Sequence, residues 1–518
     1  MKSINVKIPN TSLMIFNKKL LIALLAIGTV STGYAQDSTF VSSVIDSLPL
    51  SQPISQEVAS SNAVAYGFVN PSTGPDLNSF ARGLLGLLSC VIIAFLFSIN
   101  RSRINWKLVA TGILVQITIG FLILNPLKLG FLSWIRTAFE FVARCFSKVI
   151  SFSDAGVNFL FGTFASGQTL VDPALATFAI KVLPTVIFFS ALTSVLFYLG
   201  ILQKIVYALA WVLKKTMKLS GAEALAASGN IFLGQTEAPL LIKPYIEKMT
   251  RSEIMCLMSG GMATIAGGVL AAYIGFLGGG IKSQEIFFAI HLLSASVMSA
   301  PAAIVVSKII VPETEPFAEN LQVSKEKIGS NFLDAISNGT TDGLKLAVNV
   351  GAMLLVFTAL VAFLNYILQS GLGNIPLGEK SINAYIASLS GGSYDGLNLQ
   401  SILGYICSPI AWLIGVPSDD MLVVGQLLGE KTAINEFYAY TQMGKIKNAT
   451  GFTYEKSLIM STYVLCGFSN FASIGIQIGG IGALAPSKRA DLAALGFRAM
   501  IGGSLACLMT ATIAGMFY

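Results

Sequence analysis

Charged side chains are scarce: Asp, Glu, Lys and Arg make up 11% of the 518 residues, against roughly 25% in an ordinary globular chain. So few charges cannot cover a water-facing surface of this size, which excludes a soluble enzyme or a soluble binding module. Histidine occurs once, at His291, and that removes histidine-rich metal centres and most general-base arrangements. The six cysteines, Cys90, Cys145, Cys256, Cys407, Cys466 and Cys507, are scattered with no CxxC pair. They are read as packing residues, with neither a disulfide framework nor a zinc ribbon expected. What is left is apolar: 54% hydrophobic residues and a mean hydropathy of +0.73 describe an all-α polytopic membrane protein in a lipid bilayer. The formal charge of +7 implies no nucleic-acid partner, because Lys and Arg gather in short connections, where they act as orientation signals.

At the start of the chain, Lys18 and Lys19 precede the apolar run Leu20 to Val30, and Gly33-Tyr34-Ala35 offers small residues for cleavage. Residues 1–35 read as a signal peptide. The long head before Lys18 points to Met14 as the translation start. Residues 36–80 form an exported flexible leader, rich in Ser, Asn and Pro. Spans follow at 84–99 and 108–124, joined by Arg101, Arg103 and Lys107. The positive-inside rule makes that loop cytoplasmic and the leader external. Within 131–150, Arg136, Glu140, Arg144 and Lys148 recur every four residues, as on a helix lying in the interface. The 178–201 span is followed by Lys204, Lys214, Lys215 and Lys218, which mark a cytoplasmic segment. Further spans at 254–277, 284–309, 343–368, 457–482 and 495–517 bring the expectation to eight transmembrane helices with both termini outside, in a cell inner (plasma) membrane.

Two polar knots interrupt this apolar text. The first is Gly229-Asn-Ile-Phe-Leu-Gly-Gln-Thr-Glu-Ala-Pro239 and the second Gly429-Glu-Lys-Thr-Ala-Ile-Asn-Glu-Phe-Tyr-Ala439. A carboxylate at bilayer depth costs roughly 2.5–3.5 kcal/mol on insertion scales, so Glu237 is a site candidate by default. Pro239 suits the first turn of a helix that restarts after a break at 234–236. The order short hairpin, broken span, intact span occurs twice, at 221–309 and 420–517. The first hairpin, 221–247, enters from the cytoplasm and the second, about 420–443, from outside. Two oppositely oriented re-entrant hairpins in an inverted repeat point to a secondary transporter with a midplane site. The corresponding organisation is 81–170 scaffold and interfacial helix, 171–310 first repeat, 311–400 loop, long scaffold helix and external connection, and 401–518 second repeat.

Each singled-out residue also has a plainer reading. Glu237 or Glu436 could be the structural partner of a nearby lysine, and Phe468 a core aromatic. His291 reads as packed and hydrogen-bonded, and Thr264 could bond back to its own helix. Gly267-Gly268 could merely allow close packing. Lys431 could be a surface charge at a hairpin tip, and Pro301 a tolerated kink.

Gly234-Gln235-Thr236-Glu237-Ala238-Pro239-Leu240, Lys431-x-x-x-Asn435-Glu436-Phe437 and Gly467-Phe468-x-Asn470-x-x-Ser473 resemble the signatures of the concentrative nucleoside transporters, from about residue 80 to the end. The resemblance implies a homotrimer whose transport domains move by an elevator mechanism. It implies that Gln235, Thr236 and Glu237 face the nucleobase with Val269 nearby, and that Glu436, Asn470 and Ser473 bind the ribose with Phe468 lining the pocket. It implies a sodium ion as the coupling ion, held by the side chains of Asn230 and Thr264 and the carbonyls of Leu233 and Ile265, with no other cofactor. Tyr438 departs from the pattern, where the usual residue is Val. The chemistry agrees, since Gln and Glu match an amide-like base edge while a carboxylate with Asn and Ser matches vicinal hydroxyls. Sodium-coupled nucleoside import is the expected function. Proton coupling through a buried Glu, an intramembrane enzyme and a channel are the alternatives; no metal-ligand cluster and no nucleophile with an evident base favours the enzyme.

Overall fold

Short polar side chains decide where many of the helices begin. The computed structural model describes residues 70–72, 74–124, 133–162, 178–279, 281–316, 329–449 and 451–518. The expected signal peptide, and the leader up to residue 69, lie outside the described residues. Asp76 caps α1 (Leu77–Leu96) by accepting the Ser79 N–H, and α2 (Trp106–Leu124) follows. The expected interfacial helix is longer than anticipated, α3 (Ser133–Phe161), and its i,i+4 pair Arg136–Glu140 forms at 3.0 Å. Next come α4 (Phe178–Tyr198) and α5 (Ile201–Met217). The predicted span to residue 201 stops at Tyr198 because Gly200 adopts φ +73°, and α5 departs at 76°. The lysine-bearing stretch is thus itself helical, with Leu202, Val206, Ala210, Leu213 and Met217 buried on one face.

The first polar knot joins α6 (Gly221–Gly229) to a tight helical turn, Ala238–Ile242, with Pro239 in its first turn as expected, and to the single turn α7 (Lys243–Ile246). A reciprocal capping box of Thr250 and Glu253 starts α8 (Arg251–Ala263). A break separates it from α9 (Gly267–Gly278), and α10 (Lys282–Ile310) runs on through Pro301. The long helix α11 (Phe332–Tyr366) begins eleven residues before its apolar core, at an Asn331 cap. There the backbone N–H and the hydroxyl of Ser330 both bond Asp334 and hold its carboxyl below the usual carboxylate range. A two-stranded antiparallel hairpin, β1 (Pro376–Leu377) and β2 (Lys380–Ser381), and α12 (Ile382–Leu389) fill the connection. Then α13 (Leu399–Leu413) precedes the second knot, built as α14 (Met421–Ala433) and α15 (Glu436–Asn448). The chain ends with α16 (Glu455–Leu465), a second break, α17 (Phe471–Leu484) and α18 (Arg489–Gly515).

Among the described residues, six helical runs are long and apolar enough to cross a membrane, and the bent pair α4–α5 makes a seventh. Residues 457–482, expected as one further span, hold two shorter helices, α16 and α17, of 11 and 14 residues. The broken run α8–α9 is wrapped by protein, with 89% of its apolar window buried, whereas α11 keeps only 17% buried. The centre is therefore α8, α9, α10, α16 and α18, which pack on one another. On the outside, α11 lies along α4. Gly339 and Gly343 allow this contact: a Cβ there would lie 2.7 Å from Ala191 Cα and 2.8 Å from Ile187 Cα. Small residues four apart let two apolar helices meet backbone to backbone, where lipid offers no hydrophobic drive.

Candidate functional site

Asn230 is the C-cap of α6, and the chain then turns tightly. The N–H groups of Glu237 and Ala238 both bond the Gly234 carbonyl, and Gly234 N–H donates to Glu237 Oε2 at 3.2 Å. The Glu237 side chain thus closes its own turn and forms no lysine ion pair among the described residues. Gln235 is buried, whereas Thr236 and Glu237 are exposed. The Phe232 carbonyl accepts from the Gly267 N–H at 3.0 Å, which ties the first knot to the start of α9 and thus beside the Thr264–Ala266 break. Ser296 of α10 donates to the Ile231 carbonyl at 3.0 Å.

In the second half two asparagines act as helix caps. Asn435 accepts the Tyr438 N–H at 2.8 Å and starts α15. Asn470 accepts the Ser473 N–H at 2.9 Å and starts α17. Glu436 occupies the first position of α15, where the positive end of the helix dipole favours a carboxylate. Capping fixes the Asn470 amide so that its Nδ2 donates to Glu436 Oε2 at 2.7 Å. Ser473 Oγ in turn receives Gln235 Nε2 at 3.3 Å. One thread of polar contacts therefore runs Glu436, Asn470, Ser473, Gln235 and joins the two knots across 238 residues of sequence. Thr236 meets the same helix, since a Cβ on Gly480 would lie 2.7 Å from its Cγ2. Val269 is buried in the first turn of α9, and Phe468 lies in the second break with 9% exposure.

The two breaks touch. Gly467 has φ +151°, and a Cβ there would fall 2.7 Å from both Cys507 Sγ and the Met262 carbonyl oxygen. Only glycine fits, for conformation and for space. The Cys507 thiol on α18 donates to the Cys466 carbonyl at 2.9 Å.

Of the expected ion-binding residues, Asn230 and Thr264 both reach Gly260. Asn230 is 1% exposed and Thr264 2%, and a Cβ on Gly260 would lie 2.9 Å from Asn230 Nδ2. Thr264 Oγ1 donates to the Gly260 carbonyl at 2.9 Å, the back-bond foreseen as its plainer reading, which leaves its lone pairs available. Both carboxamide atoms of Asn230 are buried without a hydrogen-bond partner. A buried orphan acceptor close to the residue that the Thr264 hydroxyl bonds suits a hard cation that takes oxygen ligands. Among the described residues no group of three His, Cys, Asp or Glu side chains could hold a metal.

Some participants were not foreseen. Lys431, whose plainer reading was a surface charge, is fully buried, and its Nζ donates to the Val464 carbonyl at 2.9 Å. Tyr273 stacks on Tyr440 at 4.1 Å and meets Phe437 edge-on at 5.1 Å, forming an aromatic wall behind Glu436. Gln477, fully buried on α17, donates to the Met258 carbonyl at 3.0 Å. A lone amide in an apolar helix was a usable signal. The departure at Tyr438 is structural: its hydroxyl accepts from Gln400 at 3.4 Å, at the start of α13. Tyr438 also lines an open groove of about 580 Å³ against α11, to which no predicted site residue contributes. His291 is packed as expected, with Nδ1 3.1 Å from the Tyr463 hydroxyl and Nε2 3.5 Å from that of Tyr518.

Three family profiles match the chain: "Na+ dependent nucleoside transporter N-terminus" over residues 85–164, "Nucleoside recognition" over 179–280 and "Na+ dependent nucleoside transporter C-terminus" over 291–515. An uncharacterized transporter of Haemophilus influenzae is 40% identical over 444 residues, covering 85% of this chain and 98% of that protein. The rat sodium/nucleoside cotransporter 1 is 37% identical over 446 residues, 83% of this chain and 63% of that longer protein. The structure of CNTnw in an inward-facing substrate-bound state superposes with a TM-score of 0.74 at 37% identity, covering 84% of this chain and 98% of that one. A variant of CNTnw in an outward-facing state gives 0.73 at 36% identity, covering 85% and 98%.

Proposed function

Because this chain belongs to the concentrative nucleoside transporter family, whose members are membrane transporters and not enzymes, we propose that it imports nucleosides with sodium, by an elevator-type alternating access. The observation that carries the reading is the polar thread Glu436–Asn470–Ser473–Gln235, which brings the two knots to one place. Polar side chains with only local roles would have no reason to link two halves of the sequence. In this reading Gln235, Thr236 and Glu237 address the nucleobase beside Val269. Glu436, Asn470 and Ser473 take the ribose hydroxyls, with Phe468 against the pocket wall. Each of the three polar ribose groups is already oriented by a helix start, so little reorganisation is needed when a sugar binds.

Sodium fits at Asn230 and Thr264, with the backbone carbonyls of Leu233 and Ile265 completing an oxygen set; the unpartnered Asn230 carboxamide supports it. Bound there, the ion would join the end of α6 to the α8–α9 break and so complete the wall from which Gln235 projects. The mobile unit is the buried centre, and α11 with α4 forms part of the frame. The two knots are re-entrant hairpins entering from opposite sides, in an eight-span protomer of a homotrimer. It sits in an inner membrane with both termini outside.

The test is uptake of labelled uridine into proteoliposomes. Replacing external sodium by choline at fixed pH should abolish accumulation, and Asn230→Ala should raise the sodium concentration needed for half-maximal uptake. Undiminished uptake in choline would refute sodium coupling.

A further inference from the structure

The two broken helices interrupt at matching places but satisfy the freed backbone differently. At the α16–α17 break the protein supplies its own donors: the Val464 carbonyl accepts Lys431 Nζ at 2.9 Å, Thr462 accepts the Tyr440 hydroxyl at 2.8 Å, and Cys466 accepts the Cys507 thiol at 2.9 Å. The Leu465 carbonyl accepts the Gly467 N–H at 2.9 Å. At the α8–α9 break the last turn of α8 also receives donors, from Thr264 to the Gly260 carbonyl at 2.9 Å, from Gln477 to that of Met258 at 3.0 Å and from the Cys507 thiol to that of Ala263 at 3.6 Å, but none is a cation, and the nearest equivalent of Lys431 is Asn230, whose carboxamide has no partner. Both residues sit at the end of the first arm of their knot, Asn230 as the cap of α6 and Lys431 in the last turn of α14.

Lys431 is 0% exposed, and a cation so placed needs a reason. It makes no ion pair among the described residues. Of the carboxylates nearest in sequence, Glu430 is bonded by Gln426 at 3.1 Å, and Glu436, close enough to feel the Lys431 charge, is bonded by Asn470 at 2.7 Å. What Lys431 does face is the C-terminal end of α16, where unpaired carbonyls and the helix dipole concentrate negative potential.

We propose that Lys431 is a covalently tethered cation serving the second half as sodium serves the first, its ammonium held between the first arm of the knot and the break of the crossing helix. This rests on the sodium reading of the Asn230 site. The second break is then permanently satisfied and keeps Asn470 and Glu436 in place whatever the ion concentration. The first break is completed only when sodium arrives, so the ion controls one half of the pocket. Lys431 acts as a positioning residue: it orders the start of α17 and, through Asn470, Glu436.

The test uses full-length protein in proteoliposomes. Lys431→Met should lower uridine uptake by about tenfold or more, as expected when a charge-assisted contact is lost. Lys431→Ala should regain uptake when n-propylammonium is added at saturating sodium, and n-propanol, of similar size but neutral, should not restore it. Wild-type uptake and sodium dependence in Lys431→Met would overturn the proposal, as would equal rescue by propanol, which would mean that only volume matters. Should either variant be poorly folded, thermal unfolding of Lys431→Ala in detergent decides. Stabilisation by propylammonium but not by propanol supports the tethered cation, and equal or absent stabilisation refutes it. Uptake by wild type in choline is measured in parallel; its persistence would sink the sodium reading, while the propylammonium comparison still reports on Lys431 alone.

Discussion

Glu436→Gln removes one charge and little else. The Asn470 amide is fixed by its cap to the Ser473 N–H, so its Nδ2 must donate toward position 436. A glutamine can turn its carbonyl oxygen to that donor, and the fold of the second knot should survive. What the variant cannot offer is an anionic oxygen to the sugar hydroxyls. Hydrogen bonds to charged groups contribute about 1.5–3 kcal/mol and neutral ones about 0.5–1.5, so each hydroxyl held by Glu436 should lose about 1–1.5 kcal/mol. For two hydroxyls this is about 2–3 kcal/mol, a roughly 30- to 150-fold loss in kcat/KM for uridine. With 3′-deoxyuridine only one such contact remains, and the same substitution should cost roughly 5- to 13-fold. The assay is initial uptake of both nucleosides by wild type and variant, with size-exclusion profiles as the check on folding. An identical fold-loss for the two nucleosides would mean that Glu436 does not address the sugar.

Three further outcomes are expected. Gly467→Ala combines a positive φ with contacts of 2.7 Å to Cys507 and to the Met262 carbonyl. Strain and overpacking of about 1–3 kcal/mol each should lower the thermal midpoint by several degrees, and an unchanged midpoint would contradict the back-to-back packing of the breaks. Glu223 and Lys308 form a buried ion pair, extended by Lys308 to Glu313 at 3.2 Å and to Ser252 at 2.9 Å. Glu223→Gln should destabilise by about 3–5 kcal/mol, and adding Lys308→Met should recover much of it; a double variant no more stable than the single one in thermal unfolding would disprove the pairing. His291→Gln should lose less than about 1.5 kcal/mol of stability, because glutamine can still bond the Tyr463 or Tyr518 hydroxyl. Uridine uptake by that variant should stay within about threefold of wild type, and its loss would reopen a proton-relay role.

The polar knots were legible because a Gln-Thr-Glu or an Asn-Glu inside apolar text has few explanations besides a site. Pro239 and the two breaks were legible for the same reason: helix formers are interrupted by residues with a known preference. Depth was not. Lys431 lies one residue from Glu430 in a run that resembles a surface tip, and only packing against Val464 reveals that its ammonium is inside. Helix α5 escaped because Lys204, Lys214 and Lys215 read as orientation signals of a cytoplasmic segment, and the buried face between them, Val206, Ala210 and Leu213, is only a few residues wide. The aromatic wall of Tyr273, Tyr440 and Phe437 unites residues more than 160 positions apart, and no local pattern announces such a contact. Gly339 and Gly343 were visible letters with an invisible partner, since the α4 backbone that they admit is remote in sequence.

The seam at Gly467 has a consequence for how such a molecule can work. Two interruptions lie back to back without room for one methyl group, and a single sulfur on α18 reaches a carbonyl of each, Cys466 at 2.9 Å and Ala263 at 3.6 Å. A seat so tight leaves the first break little latitude in where its own carbonyls can point.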